Sequence, residues 1–246
     1  MNSRNNSTVS STAISPEADT RRGIARWAGQ MVAALVIFGA ILFLAAGRLD
    51  WAAGWAYLGL NAFTQILSAI VLVPRQGEML AGRSQVGAGT KSWDRFLAPA
   101  IVIVGTLAVL ITAGLDTRFG WSESIGAGVW SAGFIIALLC QVFVLWAMAS
   151  NPFFALTVRI QDDRGHTVIS NGPYRWIRHP GYAGSVIYNL VIPLVLGSWW
   201  TFIPAVLTAC LIIVRTGLED CTLQTELADY RTYAAQVRYR LLPGIW

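Results

Sequence analysis

The sequence predicts an all-α integral membrane protein with five to six transmembrane helices and a C-terminal helical hairpin. Of its 246 residues, 55% are hydrophobic and only 13% are charged, whereas an average soluble domain carries about 25% charged residues. A soluble fold with so few charges and with eleven tryptophans would expose too much apolar surface to water. The spacing of the apolar runs and the one-sided distribution of the basic residues lead to the same fold class.

Four apolar runs are long enough, or nearly so, for the roughly 20 residues of helix that cross a bilayer. They are residues 31–47, 51–73, 96–115 and 125–149. Two shorter runs, 183–200 and 201–214, meet near Gly197-Ser198 and predict the helical hairpin. The chain therefore has six predicted membrane segments, or five if the hairpin does not span fully. Gly47 and Trp51 lie so close in sequence that only a tight turn joins the first two helices.

The basic residues give an orientation. Sixteen of the eighteen lie on one predicted side of the membrane, and Arg48 and Arg118 lie on the other. The sixteen are Arg4, Arg21, Arg22, Arg26, Arg75, Arg83, Lys91, Arg95, Arg159, Arg164, Arg175, Arg178, Arg215, Arg231, Arg238 and Arg240. The positive-inside rule makes their side cytoplasmic, so both termini are predicted there. Since the net charge of +5 has this membrane explanation, no nucleic-acid partner is predicted.

Three regions are predicted along the chain. Residues 1–26 form a disordered cytoplasmic tail, because the first twenty are rich in Ser, Asn and Thr. Residues 27–150 form a four-helix membrane region, and residues 151–246 hold the polar motifs, the hairpin and an amphipathic C-terminal helix at 223–233. Cys140, Cys210 and Cys221 have no metal or redox spacing, so no metal site is predicted. The sequence does not specify an oligomeric state.

The polar stretch 172–184 stands between long apolar runs and is the most informative part of the chain. It begins Gly172-Pro173-Tyr174-Arg175 and continues Arg178-His179-Pro180-Gly181-Tyr182-Ala183-Gly184. Lipid does not tolerate ionisable groups without partners, so their presence beside membrane segments indicates a site. The prolines stiffen the backbone, and the glycines permit its close approach to a ligand. These properties are those of a binding cradle.

A second polar cluster, Arg215-Thr216-Gly217-Leu218-Glu219-Asp220, ends the last apolar run. Arg215 and Glu219 are four residues apart and share one helical face. The structural alternative is an ion pair between them on an exposed helix, worth a few tenths of a kcal/mol. At the end of an apolar run, however, a carboxylate needs a partner, and this favours a functional role.

Together the two clusters resemble the membrane methyltransferases that include isoprenylcysteine carboxyl methyltransferase and the phospholipid N-methyltransferases. The resemblance implies S-adenosylmethionine as cofactor, a cytoplasmic cofactor-binding region and a lipophilic acceptor, either a membrane lipid or a lipidated molecule. The cofactor contacts that it implies are Gly172, Pro173, Tyr174, His179, Pro180, Tyr182, Gly184, Glu219 and Asp220. Most members of the family have Glu where this chain has Asp220, so Glu219 is the firmer of the two acids.

The resemblance leaves the acceptor open, and Arg178, Arg215 and Glu219 are the predicted catalytic residues. A carboxylate acceptor needs only a cation, which Arg178 or Arg215 can provide. An amine acceptor must lose a proton, for which Glu219 or His179 is the candidate base. The two arginines favour the carboxylate. The alternatives are a phospholipid or other amine N-methyltransferase, an NADPH-dependent enzyme of the sterol-reductase type, and a non-enzymatic membrane binding protein.

Two further segments have predicted roles outside the chemistry. Residues 78–80 and 91–95 resemble a loop of bacterial members of the family, and we predict a structural or entrance-gating role for them. The chain ends in Arg240-Leu241-Leu242-Pro243-Gly244-Ile245-Trp246, which resembles the terminal Arg-x-x-Pro pattern of the family. We predict that Trp246 packs against the protein or lies at the membrane interface.

Overall fold

The structure is a computed structural model that describes residues 16–83 and 89–246. Seven helices in these residues form the fold, and the predicted all-helical class is confirmed. They are α1 (Pro16–Ala46), α2 (Ala52–Arg83), α3 (Asp94–Phe119), α4 (Ala127–Ser150), α5 (Pro180–Leu196), α6 (Phe202–Glu226) and α7 (Tyr230–Gln236). Short 3₁₀ turns at Asp162–Arg164 and Gly172–Arg175 interrupt the long connection between α4 and α5.

Five helices of the described chain, α1, α2, α3, α4 and α6, are long and apolar enough to cross a membrane. The hairpin arm α5 has 17 residues, which corresponds to about 25 Å of helix against a hydrocarbon core of about 30 Å. Of the predicted five or six spans, five are therefore present, and α5 is a shorter apolar helix. The predicted tight turn between the first two helices is also present, and Gly47 has φ of +67° there.

The helices differ from their predicted bounds in three places. α6 continues past residue 214 to Glu226, because polar residues in its last turns have buried partners. The amphipathic helix predicted at 223–233 is divided between α6 and α7, and Asp229 adopts φ of +62° at the break. Residues 16–26 are the first turns of α1 rather than a disordered tail, whereas residues 1–15 lie outside the described residues.

The membrane helices pack around a shared apolar core. α1 packs against α2 and α3, and α5 packs against α4 and α6. Fully buried side chains of these helices meet in the core, among them Leu42, Leu110 and Val195. Other large apolar side chains remain exposed, including Leu44 and Phe96, as expected for helices whose outer faces contact lipid. This packing brings the start of α3, the end of α4, the start of α5 and the end of α6 to one end of the bundle.

α3 has an irregular hydrogen-bond pattern near that end. Pro99 has no N–H to donate within the helix, and a π-helical segment, Ala100–Gly105, follows it directly. A Cβ at Gly105 would lie 2.5 Å from the Thr208 hydroxyl oxygen, so the glycine allows α3 to approach α6 closely. This segment supplies Ile101 and Val102 to the wall of the cavity described below.

Candidate active site

A cavity of about 270 Å³ lies where the ends of α3, α4, α5 and α6 converge. The connection between α4 and α5 lines it from one side, and residues around α7 line it from another. Six of the predicted site residues line this cavity: Tyr174, Arg178, His179, Tyr182, Arg215 and Glu219. Five others lie behind the lining: Gly172, Pro173, Pro180, Gly184 and Asp220. The structure thus brings both polar clusters to one cavity, although they are separated by α5 and most of α6.

The polar stretch 172–184 is folded by its prolines. Pro173 lies in the first positions of a 3₁₀ turn and is fully buried, and Pro180 is the first residue of α5. Both positions suit proline, because the first turn of a helix leaves its N–H groups unpaired. Neither proline lines the cavity. Their effect is to direct Tyr174 and His179, the neighbours of the two rings, toward it.

Asp220 is the centre of a buried polar network. It is 0% exposed, and five side chains donate hydrogen bonds to its two oxygens: Arg178, His179, Gln224, Tyr230 and Arg240. These contacts leave no carboxylate oxygen for a ligand. The structure therefore differs from the prediction that Asp220 contacts the cofactor, because the side chain instead fixes the residues that surround it. Because a carboxylate can only accept, the hydrogen bond between His179 and Asp220 requires the proton to be on His179 Nε2.

Both Nη nitrogens of Arg178 donate hydrogen bonds to the protein, and in the part of the chain that the structure describes its Nε lies in an ion pair without a hydrogen bond of its own. Its Nε lies 2.9 Å from Asp220 Oδ1, and its Nη1 donates to the carbonyl oxygens of Ala234 (3.2 Å) and Val237 (3.5 Å). The guanidinium thus ties α5 to α6 and α7. Although Arg178 lines the cavity, these contacts oppose its predicted role as the cation that receives an acceptor.

The C-terminal tail holds the backbone of the same motif. The N–H groups of Arg178 and His179 donate to the carbonyl oxygens of Tyr239 and Arg240, both at 2.9 Å. Arg240 also donates to Asp220 at 2.8 Å and stacks its guanidinium over the Trp246 ring, 4.8 Å from the centroid. The Arg-x-x-Pro ending therefore stabilises the cavity wall, and Trp246 packs there as predicted.

Arg215 does not pair with Glu219. Its carboxylate partner is Asp94 at the start of α3, with Nε to Oδ1 at 2.7 Å and Nη2 to Oδ2 at 2.9 Å. This geometry rules out a mutual Arg215–Glu219 ion pair as the reason for the two charges. The Arg215 guanidinium also lies 5.3 Å from the centroid of the Tyr182 ring, within the range of a cation–π contact.

Glu219 faces the cavity with one oxygen engaged. The Tyr182 hydroxyl donates a short hydrogen bond to Glu219 Oε2. Within the described residues, Oε1 accepts no hydrogen bond from the protein. Glu219 is only half-buried, in contrast to the fully buried Asp220 beside it. A carboxylate that keeps an unoccupied oxygen in a cavity is a ready partner for a cationic or hydrogen-bond-donating ligand.

Three tyrosines close the cavity near α7. Tyr233 donates from its hydroxyl to the carbonyl oxygen of Tyr174 at 2.6 Å, and Asn151 donates to the Tyr174 hydroxyl at 3.2 Å. Burial raises the pKa of Tyr174, Tyr230 and Tyr233 above the ordinary value, so all three remain protonated at neutral pH. They therefore act as neutral hydrogen-bonding groups and aromatic walls, not as bases.

Gly172 and Gly184 allow close approach to the protein itself. A Cβ at Gly184 would lie 2.7 Å from a Val144 methyl and 3.2 Å from the Cys140 carbonyl oxygen, both on α4. Gly172, at φ of +55°, would place a Cβ 2.3 Å from the Ser150 hydroxyl oxygen. The sequence predicted that these glycines let the backbone approach a ligand. In the structure they let it approach α4 instead. Gly181 behaves differently: it lines the cavity against the Phe154 ring.

Gly184→Ala is expected to destabilise the protein by about 1–3 kcal/mol, because overpacking between α4 and α5 forces the helices apart. Thermal unfolding in detergent measures this loss. Ligand affinity of the folded fraction is expected to remain within a few-fold of the wild type. A selective loss of affinity at unchanged stability would instead make Gly184 a ligand contact.

Sequence reasoning missed Asp94, Tyr230 and Tyr233. A signal for Asp94 was present, because an acid two residues before the apolar run at 96–115 needs a partner. Its 121-residue separation from Arg215 hid the identity of that partner. The two tyrosines lie in a stretch whose amphipathic pattern indicated only a surface helix, and nothing local marked them as cavity residues.

Comparisons with known proteins agree with this geometry. Residues 133–225 match the isoprenylcysteine carboxyl methyltransferase (ICMT) family. The uncharacterised protein YpbQ of Bacillus subtilis is 27% identical over 164 residues, which cover 65% of this chain and 95% of that protein.

A solved structure has a similar fold. It is that of the eukaryotic intramembrane Ras methyltransferase ICMT, with a TM-score of 0.50 and 16% identity, and the match covers 94% of this chain and 99% of the other. At this identity the likeness concerns the fold. With the family match, it confirms the resemblance found in the two polar clusters. The chain is therefore an integral membrane protein whose residues 133–225 are similar to the isoprenylcysteine carboxyl methyltransferase family and whose fold is similar to that of a member of it.

Proposed function

We propose that the protein transfers a methyl group from S-adenosylmethionine to the carboxylate of a lipophilic acceptor at the cytoplasmic face of the membrane. One observation carries the proposal. The same cavity contains a guanidinium with unoccupied donors, on Arg215, and a carboxylate with an unoccupied oxygen, on Glu219. The first matches an anionic acceptor, and the second matches the ammonium group of the cofactor.

The cofactor fits the residues on the Glu219 side of the cavity. Glu219 supplies a negative charge for the ammonium group, and the rings of Tyr174 and Tyr182 supply faces that attract a sulfonium cation. When bound, the cofactor supplies an electrophilic methyl carbon, whose bond to sulfur breaks as the acceptor oxygen bonds to it. The Asp220 network supports this side by fixing His179 and Tyr230. The protein's own contribution is to hold the two reactants in line and to exclude water.

The acceptor fits the Arg215 side. Nε and Nη2 of Arg215 are engaged by the protein, whereas the two N–H groups of Nη1 make no hydrogen bond within the described chain. A carboxylate that accepts from Nη1 is already the nucleophile at neutral pH, so no base is needed. Apolar side chains of α3 and α4, among them Ile101 and Val144, continue the wall toward the membrane. They suit the hydrocarbon part of the acceptor.

The distribution of the basic residues supports an orientation in which the cavity faces the cytoplasm. The helix ends around the cavity belong to the side to which the sequence assigns sixteen of the eighteen basic residues. Arg118, one of the remaining two, lies at the opposite end of the bundle near Gly47. The positive-inside rule then directs the cavity to the compartment in which S-adenosylmethionine is made and available.

Ligand-induced stabilisation tests the cofactor. S-adenosylmethionine and its demethylated product are expected to raise the melting temperature of detergent-purified protein in a concentration-dependent way. NADPH is the matched comparison, because a sterol-reductase-type enzyme would be stabilised by NADPH instead. A folded protein that neither methyl-donor ligand stabilises would refute the proposal.

Glu219→Gln is expected to raise the dissociation constant of S-adenosylmethionine about 10- to 100-fold, the range for loss of a charge-assisted hydrogen bond. Turnover at saturating cofactor should change little with a carboxylate acceptor, because that reaction needs no base. Calorimetry and steady-state kinetics give the two constants. Glu226→Gln is the matched control, since Glu226 pairs with Lys91 and does not line the cavity. A collapse of turnover with unchanged cofactor affinity would instead favour an amine acceptor with Glu219 as base.

A further inference from the structure

The partner of Arg215 is a buried acid at the start of α3. Asp94 is 0% exposed, and both of its oxygens are occupied. Oδ1 accepts from Arg215 Nε, while Oδ2 accepts from Arg215 Nη2 and, at 2.6 Å, from the backbone N–H of Val158. The carboxylate thus has no capacity left for a ligand. Within the described residues, its side chain accepts hydrogen bonds from Arg215 and from Val158, which lies in the cavity-lining segment 156–158.

The Arg215 guanidinium has a further hydrogen-bond partner besides Asp94. The remaining hydrogen of Arg215 Nη2 is donated to the Leu156 carbonyl oxygen at 2.7 Å. Three bonds in the plane of a rigid fork fix its orientation. The side chain can then present only the Nη1 edge to the cavity. Asp94 determines which edge this is, because two of the three bonds are made to it.

The segment that carries Asp94 packs against the cavity lining. Residues 90–94 run beside residues 157–158, with the Thr90 and Thr157 hydroxyl oxygens 3.0 Å apart and the Lys91 N–H donating to the Val158 carbonyl at 3.0 Å. An outer ion pair joins Lys91 Nζ to Glu226 at 2.6 Å, in a far more exposed position. The buried Asp94–Arg215 ion pair therefore connects the start of α3 to the cavity lining, whereas the exposed Lys91–Glu226 pair connects the segment to the end of α6, away from the cavity.

We infer that Asp94 is a positioning residue for methyl transfer: it holds Arg215 so that Nη1 points at the acceptor carboxylate. This inference rests on the proposed function. A buried ion pair contributes little net stability compared with apolar packing, so its presence at a cavity wall indicates a geometric purpose. Asp94 acts through Arg215 and touches neither reactant. The segment 91–95 was predicted to be structural or to gate the entrance. Through Asp94, it orients the side chain of Arg215 at the cavity.

The test is a double-mutant cycle on Asp94→Asn and Arg215→Lys. Methyl transfer to N-acetyl-S-farnesylcysteine and binding of S-adenosylmethionine are measured in detergent for each variant. We expect Asp94→Asn to lower turnover about 10- to 100-fold, as a small displacement of a positioned group does. Cofactor affinity should stay within about threefold, because the Glu219 side is untouched. In the Arg215→Lys background, Asp94→Asn should lower turnover little further, since lysine has no fork to orient.

The controls separate positioning from folding and from failure of the proposed function. Lys91→Met removes the exposed ion pair of the same segment, and its turnover should equal that of the wild type. Asp94→Glu keeps the charge but displaces the fork by one methylene, and it should also lower turnover at unchanged cofactor affinity. Wild-type protein that neither binds the cofactor nor transfers methyl groups would refute the proposed function itself. Given an active wild type, unchanged turnover in both Asp94 variants, multiplicative losses in the cycle, or failure of both variants to fold would overturn the inference.

Discussion

Asp220→Asn is expected to have the largest effect of any single substitution in the polar clusters, with a loss of about 3–5 kcal/mol in the free energy of unfolding. The carboxylate is fully buried and accepts from five side chains. An amide keeps the volume but removes the charge, so the guanidinium of Arg178 is left buried without its counter-ion. One of the amide's donor hydrogens must also face existing donors.

Binding of S-adenosylmethionine should be lost together with this stability, because the network fixes His179 and Tyr230 at the cavity. Thermal unfolding and calorimetry in the same detergent measure the two quantities. Asp163→Asn is the control: this acid lies on the exposed 3₁₀ turn of the α4–α5 connection, and its ion pair with Arg159 is loose at 3.3 Å. An Asp220→Asn protein of wild-type stability would show that the network is not the structural centre of the site.

Arg215→Lys is expected to have the largest effect on chemistry, lowering turnover about 100-fold or more, comparable to removal of a preorganised donor from an active site. Lysine keeps the charge but cannot bond Asp94, the Leu156 carbonyl and an acceptor in one plane. Cofactor affinity should change little. The measurement is initial-rate kinetics with varied acceptor at saturating S-adenosylmethionine.

Arg118→Lys serves as the matched control, because Arg118 is an exposed arginine at the other end of the bundle. Its kinetic constants should be those of the wild type. If Arg215→Lys turned over normally while stability fell, Arg215 would be a structural ion-pair partner and the acceptor would bind elsewhere.

Much of the fold follows from local sequence. Uninterrupted apolar runs determine the spans because a bilayer requires about 20 residues of satisfied backbone. The ends of the two hairpin helices are harder to predict from the sequence. α6 runs on through Arg215, Thr216 and Asp220, whose helical conformation depends on partners from other elements. Apolar periodicity carries no information about such partners.

The site was predictable as a set of residues but not as a set of roles. Arg178, Arg215 and Glu219, which the motif and the resemblance named, line one cavity, and Asp220 lies beside it bonded to Arg178. The motif and the resemblance did not separate Asp220, whose oxygens are all occupied, from Glu219, which keeps one free. That distinction depends on long-range contacts, such as the one from Arg240 to Asp220. Asp94 shows the same limit, since only the packing of α3 against α6 reveals that it orients Arg215.

Transfer of a labelled methyl group tests the central claim most directly. Membranes containing the protein are incubated with S-adenosylmethionine labelled in its methyl group, beside membranes containing the Arg215→Lys variant. We predict that label enters a lipophilic fraction in the wild type, is released as methanol by mild base, and falls about 100-fold in the variant. Base-stable label would show amine methylation instead. No incorporation above that of membranes without the protein would contradict the account.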